Sequence, residues 1–412
     1  MTRRLTVVGA SLAGLRAVES AREHGFDGEI VLIGDEMHAP YDRPTLSKAF
    51  LTSGEDPVEY RSLAQIREDL GVRLLLGRRA TGLDAGESVV RTDQGDVGYD
   101  TLIVATGASP RRLPFGHDLA GVHTLRTRAD ADLLRSALVP GSRLVVIGGG
   151  FIGSELASSA RERAVDVTIV EGAPVPLVRA VGAELGRVFS DLHARNGVPL
   201  LCDAAVAGVR GVAGRVCAVD LADGRSLPAD VVVVGIGAVP ATDWLKGSGI
   251  ALAPDGGVLC DERLATSLPD VYAAGDVVSW PNALLAGGVT PTTRLENWTS
   301  ASDQGRRAAV NALFPEDAEP FVTVPYFWSD WYGSRIQFVG TADAEEVSFV
   351  FGDHDSDRFA ALFRSGDRLV GAATLNEPRK VMKYRRHIAL GGSWIDALAL
   401  ISDPAVSSSP AS

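Results

Sequence analysis

Two stretches constrain this chain more than anything else in it. Residues 5–20 read LTVVGASLAGLRAVES and residues 145–157 read VVIGGGFIGSELA; each is an apolar, strand-like run that breaks at glycine and continues with helical spacing. Gly9, Ser11 and Gly14 take the small-residue positions of the first turn, and Gly148, Gly150 and Gly153 those of the second. In a strand–turn–helix unit the first glycine permits the sharp turn and the middle small residue lets backbone approach a pyrophosphate. The last lets helix and strand pack closely, with the helix N-terminus facing the phosphates. Glycine spacing alone is weak evidence, and the acid expected after the next strand narrows it. Asp35 follows Gly14 by 21 residues and Glu171 follows Gly153 by 18. Both spacings suit an acid that accepts hydrogen bonds from an adenosine ribose. Two such sites imply two adenine dinucleotides, one retained and one exchanged. Hydride transfer between a flavin and a nicotinamide is the chemistry that joins them.

The rest of the chain is organised around these units. Strand-like runs recur at 4–9, 29–34, 101–105, 143–148, 166–170, 230–236 and 270–274, several without alternation, as parallel strands buried on both faces would be. Helical spacing predicts helices at 13–24, 130–138, 153–164 and 183–196. From about residue 320 the pattern changes to alternating strands closing on one helix, and residues 404–412 read as a disordered tail. The expected fold is α/β, with two doubly wound dinucleotide-binding domains and a C-terminal α/β domain. At 412 residues the chain is too long for one ordinary core. A net charge of −12 disfavours nucleic acid and anionic membranes as partners. No apolar run approaches the roughly 20 residues a bilayer demands. The opening MTRRLTVVGA enters a strand at once and does not read as a signal peptide. Cys202, Cys217 and Cys260 form no C-x-x-C pair, which argues against a disulfide scaffold, a metal site and a dithiol redox centre. A cytoplasmic location is the expectation.

Further motifs give the chain a family likeness. PYDRPTLSK at 40–48, ATGASPRRLP at 105–114, VYAAGDV at 271–277 and YFWSDWYGSRIQFVG at 326–340 resemble the FAD-dependent, NADH-dependent ferredoxin reductases of bacterial haem monooxygenases and ring-hydroxylating dioxygenases. The likeness runs through nearly the whole chain in order. It implies a glutathione-reductase-like arrangement: an FAD domain over 1–112 and 243–318, an NADH domain over 113–242, and a C-terminal domain over 319–403. The implied activity is NADH:ferredoxin reduction, with hydride passing from NADH to FAD and single electrons then passing to a 2Fe–2S ferredoxin.

The resemblance also implies roles for individual residues. Around FAD it places Gly9, Ser11, Ala13, Gly14, Asp35, Arg43, Pro44, Lys48, Ala80, Ala105, Thr106, Gly107, Arg126, Gly275, Asp276, Glu296 and Asn297. Around NADH it places Gly148, Gly150, Phe151, Ile152, Gly153, Glu155, Glu171, Arg179 and Gly237. A carboxylate at Glu171 would repel a 2′-phosphate, and the GAPVP that follows supplies no arginine clamp, so NADH is expected over NADPH; Arg179 is the nearest downstream arginine. Lys48 is the implied cation beside the flavin, where it would stabilise the anionic reduced ring, and Glu155 its implied partner. Trp298, Phe327 and Trp328 align with positions lining the flavin, and Trp298 joins Lys48 and Glu155 as an expected catalytic residue. Trp331 is a weaker member of the same set, because relatives commonly carry a polar residue there. Docking a ferredoxin on an acidic protein needs a local positive patch. Its candidates are Arg294, Arg306, Arg307, Arg335, Arg379, Lys380, Lys383, Arg385 and Arg386; the last five also fit the solvated face of a helix. Rubredoxin reductases and peroxide-forming NADH oxidases share these motifs, as do NADH-sensing flavoproteins of apoptosis-inducing-factor type, so all three stay open.

Overall fold

The computed structural model describes residues 3–285 and 292–400. The chain divides into two compact units, one from residues up to Asp42, Pro57–Ser109 and Ala238–Thr323, the other from Arg43–Asp56, Pro110–Gly237 and Val324 onward. The tail expected at 404–412 lies outside the described residues.

The first unit is built on a five-stranded parallel sheet in the order Val271–Ala273, Thr101–Val104, Arg4–Val8, Glu29–Ile33, Val72–Leu75. Valine, isoleucine and leucine fill these strands because both faces are covered; Leu5, Val7, Ile30, Leu32, Leu102 and Ile103 are buried. The helices Leu12–Glu23 and Trp298–Leu313 cross so closely that a Cβ on Gly305 would stand 2.2 Å from the Ala13 carbonyl oxygen. Strand Val72–Leu75 has no counterpart among the runs read from sequence, since four residues in which exposed Arg73 follows buried Val72 leave little apolar signal.

The second unit repeats the plan. Its parallel sheet runs Leu200–Leu201, Asp166–Val170, Arg143–Ile147, Val231–Val234, Val122–His123. The expected helix at 183–196 lies within Val178–Arg195, where Gly182 (φ +79°) breaks the helical geometry and marks the start of the regular part. Beyond Val324 five antiparallel strands form a sheet in the order Tyr326–Trp331, Ser334–Gly340, Arg368–Leu375, Phe359–Ser365, Glu346–Phe351. Two helices follow it, Pro378–Ala389 and Trp394–Ala399, where sequence spacing suggested one; the six-residue second helix is too short for a periodic signal.

Segment 43–56 belongs to the second unit although its chain neighbours lie in the first. The cause is polar stitching to helix Phe151–Glu162 and its end. Ser159 Oγ donates to the Ser47 carbonyl at 2.7 Å, and Arg163 donates to the Leu51 carbonyl at 2.8 Å and the Leu138 carbonyl at 2.9 Å. Among the described residues no helix is long and apolar enough to cross a membrane.

His193 sits fully buried in the second unit, its ring stacked on Trp331 at 4.9 Å and its Nδ1 2.8 Å from the Tyr332 hydroxyl. Burial pushes this imidazole down to about 4. The fold therefore favours the neutral ring. Its contribution is complete above the unfolded value near 6.5 and is lost as pH falls toward 4. Between pH 7 and pH 4, denaturant melts of the wild type are expected to lose up to about 3 kcal/mol more than those of a non-titrating His193→Gln variant. Equal losses would remove His193 from the acid response.

Candidate functional site

In the first unit the loops at the C-terminal ends of the parallel strands carry most of the residues singled out for a dinucleotide. Gly9 (φ +119°) turns so tightly that a Cβ there would lie 2.1 Å from the Ala105 oxygen, and one on Gly14 would lie 1.9 Å from the Gly9 oxygen. Ser11 is the N-cap of helix Leu12–Glu23 with extended backbone (φ −112°), so the position asks for small size and not for glycine's conformational freedom. Ala13 is buried beside Gly275, whose own Cβ would meet it at 3.1 Å. Asp35 lies two residues beyond strand Glu29–Ile33, exposed, 3.5 Å from Arg79. Ala105, Thr106 and Gly107 follow strand Thr101–Val104, with Thr106 Oγ1 bonded to the Ala241 oxygen at 2.9 Å. Gly275 and Asp276 follow strand Val271–Ala273; the Gly275 amide donates to Gln304 at 2.7 Å, and Arg294 donates to the Asp276 carbonyl at 3.2 Å. Glu296 pairs with Arg294 at 2.5 Å, Asn297 caps helix Trp298–Leu313 through the Ser300 amide, and Ala80 opens strand Ala80–Asp84. This edge of an open α/β sheet is where ligands bind.

Trp298 starts its helix inside a polar cluster that sequence reading missed. Its Nε1 donates to the Tyr60 hydroxyl at 2.7 Å and to Asp42 Oδ1 at 3.2 Å, and the Tyr60 hydroxyl donates to the same Asp42 oxygen at 2.7 Å. Backbone bonds from Asp42 to Val58 and from Tyr60 to Pro40 bring the two segments together. Burial, and then Asp42, hold the Tyr60 phenol well above its usual range. The guanidinium of Arg16 lies 5.6 Å from the Tyr60 ring centre. Asp42 was within reach of the sequence, being the residue before Arg43 in PYDRPTLSK; Tyr60 stands in no motif.

The second unit holds the other glycine turn with matching geometry. A Cβ on Gly148 (φ +107°) would lie 2.4 Å from the Gly235 oxygen, and one on Gly153 would lie 2.1 Å from the Gly148 oxygen. Gly150 is the N-cap of helix Phe151–Glu162 and has open space around it, the nearest atom to its ideal Cβ being 3.9 Å away. Phe151 and Ile152 begin the helix, Ile152 exposed. Glu171 accepts from the Gly149 amide at 2.7 Å and the Ala173 amide at 2.8 Å, which fixes its carboxylate beside the turn. Arg179 is exposed on helix Val178–Arg195, and the Gly237 carbonyl accepts from the Arg111 amide. The close-packed glycines, the free first-turn amides of each helix and the neighbouring acid fit a dinucleotide at both turns.

Lys48 and Glu155 also meet within the second unit. Glu155 is buried on the inner side of helix Phe151–Glu162, with Lys48 Nζ 2.8 Å from its Oε1. Ser47 Oγ donates to Oε2 at 2.5 Å and Ser329 Oγ to Oε1 at 2.6 Å. Lys48 also donates to the Pro44 carbonyl at 3.1 Å, and Arg43 donates to the Arg126 carbonyl at 2.8 Å. The pairing was legible; the two serines were not. Along strand Tyr326–Trp331 alternate residues part company. Phe327 packs on Phe151 with ring centres 4.4 Å apart, whereas Trp328 stacks on Tyr326 at 5.8 Å under the Arg335 guanidinium.

Most of the candidate docking cations have partners of their own. Arg294 pairs with Asp255, Arg306 with Glu23, Arg307 with Glu319, Arg335 with Asp330 and Lys380 with Glu377. Arg385 donates to the Val324 carbonyl. Arg379 and Arg386 are exposed on helix Pro378–Ala389, and Lys383 lies half-buried between them.

Comparison with known proteins adds a family and relatives. Residues 3–305 match the family model described as pyridine nucleotide-disulphide oxidoreductase, and residues 326–408 match a reductase C-terminal model. The ferredoxin--NAD(+) reductase component of the biphenyl dioxygenase system of Paraburkholderia xenovorans is 42% identical over 90% of this chain and 89% of its own. Rhodocoxin reductase of Rhodococcus erythropolis is 38% identical over 93% and 89%. The crystal structure of the covalent putidaredoxin reductase–putidaredoxin complex superposes with a TM-score of 0.89 at 28% identity, covering 98% of this chain and 99% of that one.

The cluster around Trp298 generates a prediction. Tyr60→Phe removes the hydroxyl that joins the Trp298 indole to Asp42 and leaves a partly buried carboxylate short of a donor. Urea unfolding is expected to show a loss of about 1–2 kcal/mol. An unchanged midpoint would reduce the cluster to a packing contact.

Proposed function

The chain belongs to the pyridine nucleotide-disulphide oxidoreductase family, and we propose that it is an FAD-containing NADH:ferredoxin reductase serving a haem monooxygenase or ring-hydroxylating dioxygenase. The observation that carries this reading is the pair of glycine turns, each directly after a strand at the middle of its own parallel sheet and each followed by an acid. The relatives' names, ferredoxin--NAD(+) reductase component and rhodocoxin reductase, support a ferredoxin as the electron acceptor. A dithiol route finds no support, since all three cysteines are unpaired and burial pushes the Cys260 thiol far up. Unpaired thiols also suit the cytoplasm.

In this reading residues 1–112 and 243–318 hold FAD, 113–242 hold NADH, and 319–403 form the C-terminal domain. Gly9, Ser11 and Gly14 would cradle the resident pyrophosphate, with Asp35 toward its ribose and Asp276 at the sheet edge. Gly148, Gly150 and Gly153 would do the same for the exchanged dinucleotide. Bound FAD supplies the two-electron to one-electron conversion that links a hydride donor to a 2Fe–2S acceptor. The protein's share is positioning and charge. Glu155 anchors the Lys48 ammonium at a fixed point, where a cation lowers the energy of negative charge building nearby. Glu171, already tied to two amides, keeps a carboxylate where a 2′-phosphate would have to sit. Arg379 and Arg386, exposed on helix Pro378–Ala389, are the cations that best fit a docking role.

Three measurements test this. NADH-driven cytochrome c reduction is expected to depend strongly on an added 2Fe–2S ferredoxin; peroxide formation without one would favour an oxidase. Neutralising Arg379 and Arg386 together is expected to raise the ferredoxin KM about tenfold at low salt and flatten its salt dependence. Glu171→Ala is expected to weaken NADH binding about tenfold and to narrow the preference over NADPH. Undiminished discrimination against NADPH would remove that role from Glu171.

A further inference from the structure

The proposed function makes no use of Trp331, yet the tryptophan is connected to the Lys48–Glu155 pair. Its Nε1 donates to Ser329 Oγ at 2.7 Å, Ser329 Oγ donates to Glu155 Oε1 at 2.6 Å, and the same Oε1 is 2.8 Å from Lys48 Nζ. Ser329 and Trp331 stand two apart on strand Tyr326–Trp331, so both point to one side of it, and both are fully buried. An indole N–H can only donate, and a serine hydroxyl has one proton. Because Ser329 accepts from Trp331, that single proton has Glu155 as its acceptor. The direction of the chain is thereby set: Trp331 to Ser329 to Glu155. The indole itself is held, stacked on His193 with ring centres 4.9 Å apart and set edgewise against Phe189 at 5.6 Å.

We propose that Ser329 and Trp331 are positioning residues, which orient the Glu155 carboxylate and through it keep the Lys48 ammonium in one place beside the cofactor. The inference rests on the reading of Lys48 given under the proposed function. Lysine is a hydrated point charge on a flexible stem, and the Lys48 side chain is 22% exposed, so water competes for it. A carboxylate free to rotate would hold that ammonium less well. Ser47 secures Oε2, and Ser329 secures the oxygen that Lys48 uses.

A double-mutant cycle on FAD-loaded protein tests this with two readouts. The first is the stopped-flow rate at which NADH bleaches the flavin. Trp331→Phe and Ser329→Ala are each expected to slow it about fivefold with the NADH KM nearly unchanged. Ser329→Thr, which keeps the hydroxyl, is expected to retain the wild-type rate. In a Glu155→Gln background, Trp331→Phe should change the rate by less than about 1.5-fold. The same loss in both backgrounds would make Trp331 a packing residue and overturn the proposal. The second readout is the flavin midpoint potential, titrated with a chemical reductant and no NADH. Trp331→Phe and Ser329→Ala are expected to move it in the negative direction; unchanged potentials in both variants would also overturn the proposal. A wild type that binds FAD but ignores NADH would sink the proposed nicotinamide reaction, and the potentials would still decide the role of the relay.

Discussion

A buried carboxylate ties distant segments of the second unit together. Glu155 is 5% exposed, and both its oxygens are occupied: Lys48 and Ser329 on one, Ser47 on the other. Taking a carboxylate out of water is tolerated only when its lone pairs are met, and removing one partner of a buried ion pair costs on the order of 3–5 kcal/mol. The three partners come from stretches far apart in sequence, 47–48 and 329 against a helix at 151–162. Satisfying one charge therefore fixes the path of segment 43–56 and the approach of strand Tyr326–Trp331. The Ser159 and Arg163 bonds to the backbone of that segment act in the same direction. Structure and chemistry share one constraint, because the group that orders these segments is also the one that places the lysine.

The two glycine turns show how little of a cofactor's identity resides in the turn itself. In both, a Cβ on the first glycine would strike a carbonyl of the neighbouring strand's end, and one on the third glycine would strike the first glycine's own carbonyl. The middle residue is extended in both, at φ −112° for Ser11 and −77° for Gly150. Serine and glycine serve equally there. The difference lies in the acids. Asp35 is exposed and faces Arg79, whereas Glu171 is bound to two backbone amides. A pre-ordered carboxylate loses less conformational freedom on meeting a hydrogen-bond donor than an unrestrained one does.

What could be read from sequence follows from what is local. Strand–turn–helix units announce themselves through consecutive residues, so both turns, their acids and most of the parallel strands were legible, within a residue or two at their ends. The Lys48–Glu155 pairing was legible through resemblance. Tyr60, Ser47 and Ser329 were not, because a hydroxyl acquires a role only from the group it meets, and these meet partners 18 to 238 residues away. Trp331 illustrates the same limit from the other side. As a departure from the family pattern it ranked below the other aromatic residues, and its donor proton acquires meaning only because Ser329 lies on the same side of the strand.

The charge distribution bears on how a partner is met. At net −12 the field of the whole molecule repels an acidic protein, but at physiological salt screening confines that field to about 8 Å. Local groups therefore decide the final approach. Within the basic cluster at 379–386, Lys380 lies 3.4 Å from the Phe351 ring centre and pairs with Glu377, and Arg385 lies over Tyr326. On strand Tyr326–Trp331 the half-buried Trp328 has the exposed Arg335 guanidinium 5.7 Å from its ring centre. Arginine stacked in this way keeps its charge while losing little further freedom when an anion arrives. A surface of this composition would bind an acidic partner through a few pre-ordered contacts in place of a broad positive field. That fits an electron-transfer encounter, which has to form and dissolve within each turnover.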